Sequence, residues 1–311
     1  MNRILIIARK EFKDLVTDRI ILLSFAALLV TMCASAYYQV DWLNHFTAMS
    51  ETLGEWKCPH PYQSFPYMNT SRISGQLSTL GALVAVAISF NSINRERADG
   101  SLKVLLSYPV YRDQVLLGKL LAGSILLTLI TFASTGLAFT ITAVYASIPF
   151  TVDNLLRFLS VAAMGTVLLL FFLCLGMASS IHFKDTTTNL LSLLLIIAVF
   201  RSETIIVLLL SFGNVAERLG FNLQGGVLPA FFMDWNCVVD HPFARNFGRI
   251  SPIETFRQFA YGMFIYTWWK YPLDNFQELF LRNLDLVAVQ IVFLVFGFVA
   301  NYILFTRSEV T

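Results

Sequence analysis

Charged residues are scarce in this chain of 311 residues, at 14% against 56% hydrophobic residues. A typical soluble domain carries about 25% charged and about 45–50% apolar residues. A water-soluble protein of this size must cover its surface with polar groups, so the excess of apolar side chains requires a second apolar solvent, the lipid bilayer. The composition also excludes a disordered chain and a coiled coil.

Other absences narrow the function. The net charge is only +2, from 22 basic and 20 acidic residues, which does not indicate a nucleic-acid-binding protein. The four cysteines are too few for a disulfide scaffold and show no Cys-x-x-Cys spacing. No Gly-x-x-x-x-Gly-Lys-Ser/Thr phosphate loop, His-Glu-x-x-His zinc motif or hydrolase elbow occurs. We therefore expect no catalytic site, cofactor or metal in this chain.

The positions of the few charges predict an all-α integral membrane protein with six transmembrane helices. A helix needs about 20 apolar residues to cross about 30 Å of hydrocarbon. Five charge-free stretches and one interrupted stretch predict spans at about 20–40, 73–94, 117–146, 155–181, 187–212 and 284–305. Outer loops then occupy 41–72 and 213–283, and residues 1–311 form one transmembrane domain.

Basic residues set the expected orientation. They outnumber acidic residues on the side that carries both termini and the short loop at 95–116. Because loops rich in Lys and Arg stay in the cytoplasm, we predict that both termini are cytoplasmic in the plasma or inner membrane.

Residues 1–19 predict an amphipathic helix in the cytoplasmic membrane interface. Ile4, Ala8 and Phe12 would share a face, and Arg9 and Lys13 would lie on the other side. The alternative is a short charged tail before the first span.

A second helix outside the spans is predicted before the last one. Ser251-Pro252-Ile253-Glu254 has the form of a helix start, with Ser as the N-cap, Pro at the first position and an acid in the first turn. This external helix would run to about Trp269 and lie on the membrane or dip into it.

The cytoplasmic loop at 95–116 contains the most specific pattern. Asp99-Gly100 predicts a turn, Ser101 can cap a short helix at Leu102–Ser107, and Pro109 stops that helix. Leu102, Leu105 and Leu106 would form an apolar knob, which needs a protein pocket or lipid to cover it.

This pattern resembles the first cytoplasmic loop of ABC-2 type transporter permeases. The N-terminal segment 8–19 and the segment 251–257 are also similar to that family, so the resemblance covers nearly the whole chain. The loop matches are Arg95-Glu96, Gly100-Ser101-Leu102, Leu105-Leu106-Ser107, Pro109-Val110, Arg112 and Gly118-Lys119.

The resemblance implies the transmembrane half of an ATP-driven exporter or mechanotransmitter. Its partners would be a separate ATP-binding cassette subunit, which holds ATP and magnesium, a second permease copy, the lipid bilayer and an outer accessory protein. Leu102, Leu105 and Leu106 would be the coupling helix that docks on the ATPase, with Glu96 and Arg112 holding the ends of the loop. The alternatives are a multi-pass membrane enzyme acting on lipid, and a passive channel or membrane anchor.

Two further pairs leave alternatives open. Arg201 and Glu203 interrupt an apolar run, so they line a path or pair across a dimer axis, or else the fifth helix ends near Arg201 and both charges reach a wet surface. Cys58 and Cys237 lie in the two outer loops and form either a disulfide or two free thiols.

Overall fold

A computed structural model describes residues 3–53, 73–90, 92, 112–145, 151–183, 185–201, 249–264 and 275–307. Every regular element in these ranges is helical. The helices are α1 (Arg3–Thr17), α2 (Arg19–Leu53), α3 (Ile73–Ser89), α4 (Arg112–Tyr145), α5 (Val152–His182), α6 (Thr186–Phe200), α7 (Pro252–Phe264), α8 (Phe276–Arg282) and α9 (Leu284–Arg307).

Four of the six predicted spans are long and apolar enough to cross a membrane. They lie in α2, α4, α5 and α9. Of the other two, α3 and α6 are shorter apolar helices within the described ranges, and α6 has 15 residues, or about 22 Å. The sequence prediction for this helix continued to 212, whereas the described helix ends at Phe200.

Helix α5 lies at the centre of the bundle. It packs against α3, α4, α6, α7, α8 and α9, and Leu168, Leu169 and Phe172 are fully buried in the core. About 61% of the apolar stretches of α4 and α5 is buried, against 28% for α2 and 22% for α9. The two outer helices therefore expose apolar side chains along most of their length, as a surface in contact with lipid would.

Small residues allow the helices around α5 to approach it closely. A Cβ atom built on Gly165 would lie 2.5 Å from Leu77 Cδ2, and one built on Gly176 would lie 1.9 Å from Ser89 Oγ. A Cβ on Gly297 of α9 would lie 3.2 Å from Phe171. Such contacts are typical of membrane helix packing, where small residues let backbones come together.

The contacts along α5 give the direction of its neighbours. Leu77 of α3 lies beside Gly165 and Ser89 beside Gly176, so α3 runs parallel to α5. Phe256 of α7 also lies beside Gly165, whereas Met263 lies beside Arg157, so α7 runs antiparallel to α5. We call the end of the bundle at which α5 finishes and α1 packs the α1 end, and the opposite end the far end.

Helix α1 packs along the start of α4. Ala8 is buried, Phe12 and Leu15 contact the core, and Arg9 and Lys13 are exposed. The predicted amphipathic helix is therefore present, and its apolar face contacts protein. Only Asp18 separates α1 from α2, and its carboxylate accepts a hydrogen bond from Ile20 N at 2.9 Å, which caps the start of α2.

The sequence predicts a helix before the last span that lies on the membrane or dips into it, and the structure packs this helix within the bundle. Helix α7 is buried between α5 and α9, and Ile253, Phe256 and Phe259 have no exposed surface. Its apolar residues recur at helical spacing, and the surrounding helices supply the surface that covers them. The acid in its first turn, Glu254, is also buried.

Candidate functional site

An ion pair at the α1 end joins the N-terminal helix to the bundle. Lys119 Nζ lies 3.0 Å from Glu11 Oε2, and the two side chains are 6% and 16% exposed. The same ammonium group donates a hydrogen bond to Ser92 O at 3.4 Å. One lysine of α4 thus contacts α1 and the chain that leaves the end of α3.

Gly118, the residue before this lysine, brings α1 close to α4. A Cβ atom at position 118 would lie 2.7 Å from Ile7 Cγ2 and 3.4 Å from Ile4 O. Glycine is the residue that permits such a close approach of two helices. The Gly118-Lys119 dipeptide therefore supports α1 through packing and through charge.

Most of the predicted coupling residues lie outside the described residues. These are Glu96, Leu102, Leu105 and Leu106, which belong to the segment 93–111. Arg112 is the first residue of α4. The structure describes both ends of this segment, and the contacts of Lys119 lie next to its beginning at Ser92.

Arg201 forms the end of α6. It is the C-cap of the helix, and its Nη1 donates a hydrogen bond to Gly75 O of α3 at 3.3 Å. A cation is favourable there, because the last carbonyl groups of a helix carry partial negative charge. The described part of the fifth helix ends at Phe200, and the path, dimer-axis and wet-surface alternatives for Arg201 stay predictions. Glu203 lies outside the described residues, as do Cys58 and Cys237.

Helices α6 and α7 meet end to end inside the bundle. Ser251 Oγ donates a hydrogen bond to Phe200 O at 2.7 Å. The ring of Phe200 lies 6.0 Å from that of Phe171, which is about 17 Å along α5 from its last residue, His182. The α6 helix thus ends beside the middle of α5, and α7 continues in the same direction toward the far end.

The predicted helix start at Ser251 is present in α7. Ser251 Oγ accepts a hydrogen bond from Glu254 N at 3.3 Å, which is the N-cap contact. Glu254 is 5% exposed, and its carboxylate lies 3.3 Å from Arg257 Nη1. A buried carboxylate would be costly without such a partner, so Arg257 and the helix start together explain how α7 carries an acid into the bundle.

A second ion pair, between Asp153 and Arg157 in the first turns of α5, holds the far end. The Asp153 carboxylate lies 2.6 Å from Arg157 Nη2, and Arg157 is 3% exposed. Arg157 Nη1 donates to Met263 O near the end of α7, and Asp153 Oδ1 accepts from Phe276 N at the start of α8. We call these two residues the far-end clamp, because they bind the end of α7 and the beginning of α8.

Sequence reasoning did not identify either ion pair as a site. Asp153 and Arg157 are four residues apart, which is the spacing of a helical ion pair and was a usable local signal. Glu11 and Lys119 are 108 positions apart, so only the tertiary structure brings them together.

Comparison with known proteins places these features in a family. The family model described as "ABC-2 family transporter protein" matches residues 5–310. The protein "Probable ABC transporter permease protein NosY" of Stutzerimonas stutzeri is 32% identical over 141 residues, which cover 44% of this chain and 45% of that protein. The chain therefore aligns with less than half the length of this relative, whereas the family match extends from α1 to beyond the end of α9.

Proposed function

The chain belongs to the ABC-2 family of transporter proteins, as a transporter permease subunit, and we propose that it couples ATP hydrolysis on a separate subunit to export or mechanical transmission across the membrane. The resemblance in the loop and terminal segments is thereby confirmed for the family. The partner would hold ATP and magnesium, this permease would pair with a second copy or a related chain, and an outer accessory protein would receive a mechanical signal. The α1 end would face the cytoplasm.

The observation that carries this proposal is the position of the Lys119 contacts. Lys119 links Glu11 of α1 to Ser92 O, one residue before the segment that contains the predicted coupling helix. A partner that moves this segment would therefore act on α1, α3 and α4 together. The exposed basic residues Arg9 and Lys13 of α1 suit a cytoplasmic membrane surface, which carries negative charge.

Co-purification with an ATP-binding cassette subunit tests the proposal. We expect Leu105→Glu and Leu106→Glu each to abolish binding or to uncouple ATP hydrolysis from the response of the permease. The reason is that a carboxylate buried in an apolar groove without a partner costs several kcal/mol. Leu105→Met and Leu106→Met are the matched controls, because they keep an apolar side chain of similar volume, and both should bind normally.

The outcome also separates the proposal from its alternatives. Wild-type complex yield and coupling in both glutamate variants would contradict the coupling-helix assignment. A lipid-modifying enzyme, a passive channel and a membrane anchor would show no ATPase partner at all. A chain that binds the partner and depends on Leu105 and Leu106 for coupling fits only the permease.

A further inference from the structure

Asn189 is a fully buried amide in the first turns of α6 that connects three helices. It has no exposed surface. Its Nδ2 donates a hydrogen bond to Phe90 O at the end of α3, and its Oδ1 accepts one from Ser179 Oγ of α5. Ser179 Oγ also lies 3.2 Å from Ser192 Oγ of α6. The amide thus uses both a donor and its acceptor on neighbouring helices.

The contact with Phe90 satisfies a group that the helix itself leaves unpaired. Phe90 is the C-cap of α3, and the last carbonyl groups of a helix have no partner within it. Away from water such a carbonyl must find a donor, or the structure loses about 1–3 kcal/mol. Asn189 supplies that donor from a different helix, so the end of α3 is attached to α6.

Lys119 provides a second hydrogen bond to the same stretch of chain. Asn189 donates to the carbonyl of residue 90, and Lys119 donates to the carbonyl of residue 92. The two donors come from α6 and α4, and the segment 93–111 begins directly after them. We call Phe90 and Ser92 the loop root.

From this arrangement we propose that Asn189 and Lys119 are positioning residues that divide a displacement of the loop root between two routes. The inference rests on the proposed function, because it requires an ATPase that moves the segment 93–111. Lys119 passes the displacement to α4 and, through Glu11, to α1. Asn189 passes it to α6, whose other end is bonded through Phe200 O to α7.

The second route reaches the far end of the bundle through described contacts. Helix α6 is a rod of 15 residues, and Ser251 of α7 donates to its last carbonyl. Helix α7 is in turn held at Met263 O by the far-end clamp. A movement at the loop root that shifts α6 along its axis would therefore push on α7, and the clamp would pass that push to α5 and α8.

The test removes the hydrogen bond from Asn189 to the loop root and measures a distance at the far end of the bundle. The permease in complex with its ATP-binding subunit, in lipid nanodiscs, carries spin-labelled unnatural side chains at positions 152 and 281, which are 74% and 65% exposed on α5 and α8. The distance between the labels is measured with and without ATP and magnesium. We expect Asn189→Leu to bind the partner and hydrolyse ATP at no less than half the rate of the unsubstituted complex, while the ATP-dependent change in distance falls at least fivefold.

Ser179→Ala is the matched control, because it removes the bond to α5 and leaves the bond from Asn189 to Phe90 O intact. It should keep most of the change in distance. Asn189→Gln retains the amide donor and acceptor and should show at least half of the ATP-dependent change in distance of the unsubstituted complex. A loss of packing alone would not explain such a result. If Asn189→Leu lowers the yield of folded complex, Asn189→Ser takes its place. Its small polar side chain is too short to bond Phe90 O, and we expect the same fivefold fall in the ATP-dependent change in distance.

The results separate this inference from the proposed function. A full change in distance in Asn189→Leu or Asn189→Ser, with normal partner binding, would overturn the inference and leave the proposed function standing. An equal loss of the distance change in Ser179→Ala would also overturn it, because that variant keeps the bond between Asn189 and the loop root. Failure of the unsubstituted chain to bind any ATP-binding subunit would overturn both.

Discussion

The ammonium group of Lys119 in α4 lies 3.0 Å from the carboxylate of Glu11 in α1, and little of either side chain is exposed. Removal of one partner leaves the other charge buried, which typically costs about 3 kcal/mol. We therefore expect Glu11→Gln and Lys119→Met each to lower the thermal midpoint of the purified permease by several degrees. The check is a thermal unfolding series in one detergent.

A double variant separates the effect of the ion pair on stability from its effect on the response of the permease to ATP. An apolar pair of similar volume often replaces a buried ion pair with no loss of stability, so Glu11→Leu combined with Lys119→Met should recover most of the midpoint. The recovered protein should still respond poorly to ATP, because the donor to Ser92 O is missing. Equal recovery of stability and of ATP response would show that the pair only holds α1 in place.

The close contact between α3 and α5 makes a second prediction. A Cβ atom at Gly176 would lie 1.9 Å from Ser89 Oγ and 2.8 Å from Ser89 Cβ. Gly176→Ala should therefore destabilise the bundle by about 1–3 kcal/mol through overpacking. Ser89→Gly removes both opposing atoms, so the double variant should recover much of the loss. Unchanged stability in Gly176→Ala alone would contradict the packing described for α3.

The far-end clamp supplies a third prediction. Arg157→Leu removes the donor to Met263 O and leaves the Asp153 carboxylate without this partner. We expect hydrogen exchange of α7 and α8 to rise about tenfold or more, which corresponds to about 1.4 kcal/mol of local stability. Arg249 and Asp285 form a more exposed ion pair, so Arg249→Leu is the control and should have a smaller effect. Equal exchange in the two variants would argue against the clamp.

The bounds of two long helices could be predicted from the sequence, for local physical reasons. Helix α5 was expected over 155–181 and spans Val152–His182, because Thr151 caps its start and the charges of the following loop end the apolar run. The last span was expected over 284–305 and ends at Arg307. Length, apolar content and caps are properties of consecutive residues, which a sequence displays directly.

The positions of the helices relative to one another were not predictable in this way. Ser251 and Glu254 marked the start of α7 correctly, but its burial depends on the faces that α5 and α9 present to it. An acid in a first turn suggests a wet surface, whereas Glu254 is buried beside Arg257. The contact between Glu11 and Lys119 likewise needs two helices to pack first, and neither residue's neighbours in sequence indicate it.

Asp185 gives a fourth prediction, on pH dependence. Hydrogen bonds from the Thr188 hydroxyl and backbone amide lower the pKa of the Asp185 carboxyl, which caps the start of α6. A carboxyl with a lowered pKa stabilises the folded state above the usual aspartate pKa of about 3.9, and this contribution is lost as the pH falls through the folded value. The thermal midpoint, measured between about pH 3 and pH 6, should therefore fall toward low pH in part because Asp185 becomes protonated.

Two variants isolate the contribution of Asp185 to the pH dependence of the thermal midpoint. Thr188→Val removes the hydroxyl donor and should raise the pKa of Asp185 toward its usual value, which flattens the pH dependence. Asp185→Asn keeps an N-cap side chain that does not titrate, so it should remove that contribution. A pH profile that is the same in all three proteins would contradict the assignment.

The end of α6 at Arg201 leads to the last prediction. Arg201 is partly exposed in the structure, and water stabilises a charged group at membrane depth, so we expect an aqueous path from the far end to Arg201. A cysteine in Arg201→Cys should react with a membrane-impermeant thiol reagent added from the outside, at least tenfold faster than one in Leu195→Cys. Leu195 lies on the same helix, is 66% exposed and would face lipid, so it serves as the control. Equal, slow reaction at both positions would show that α6 ends in a dry interior, where the bond from Arg201 to Gly75 O accommodates the charge without water.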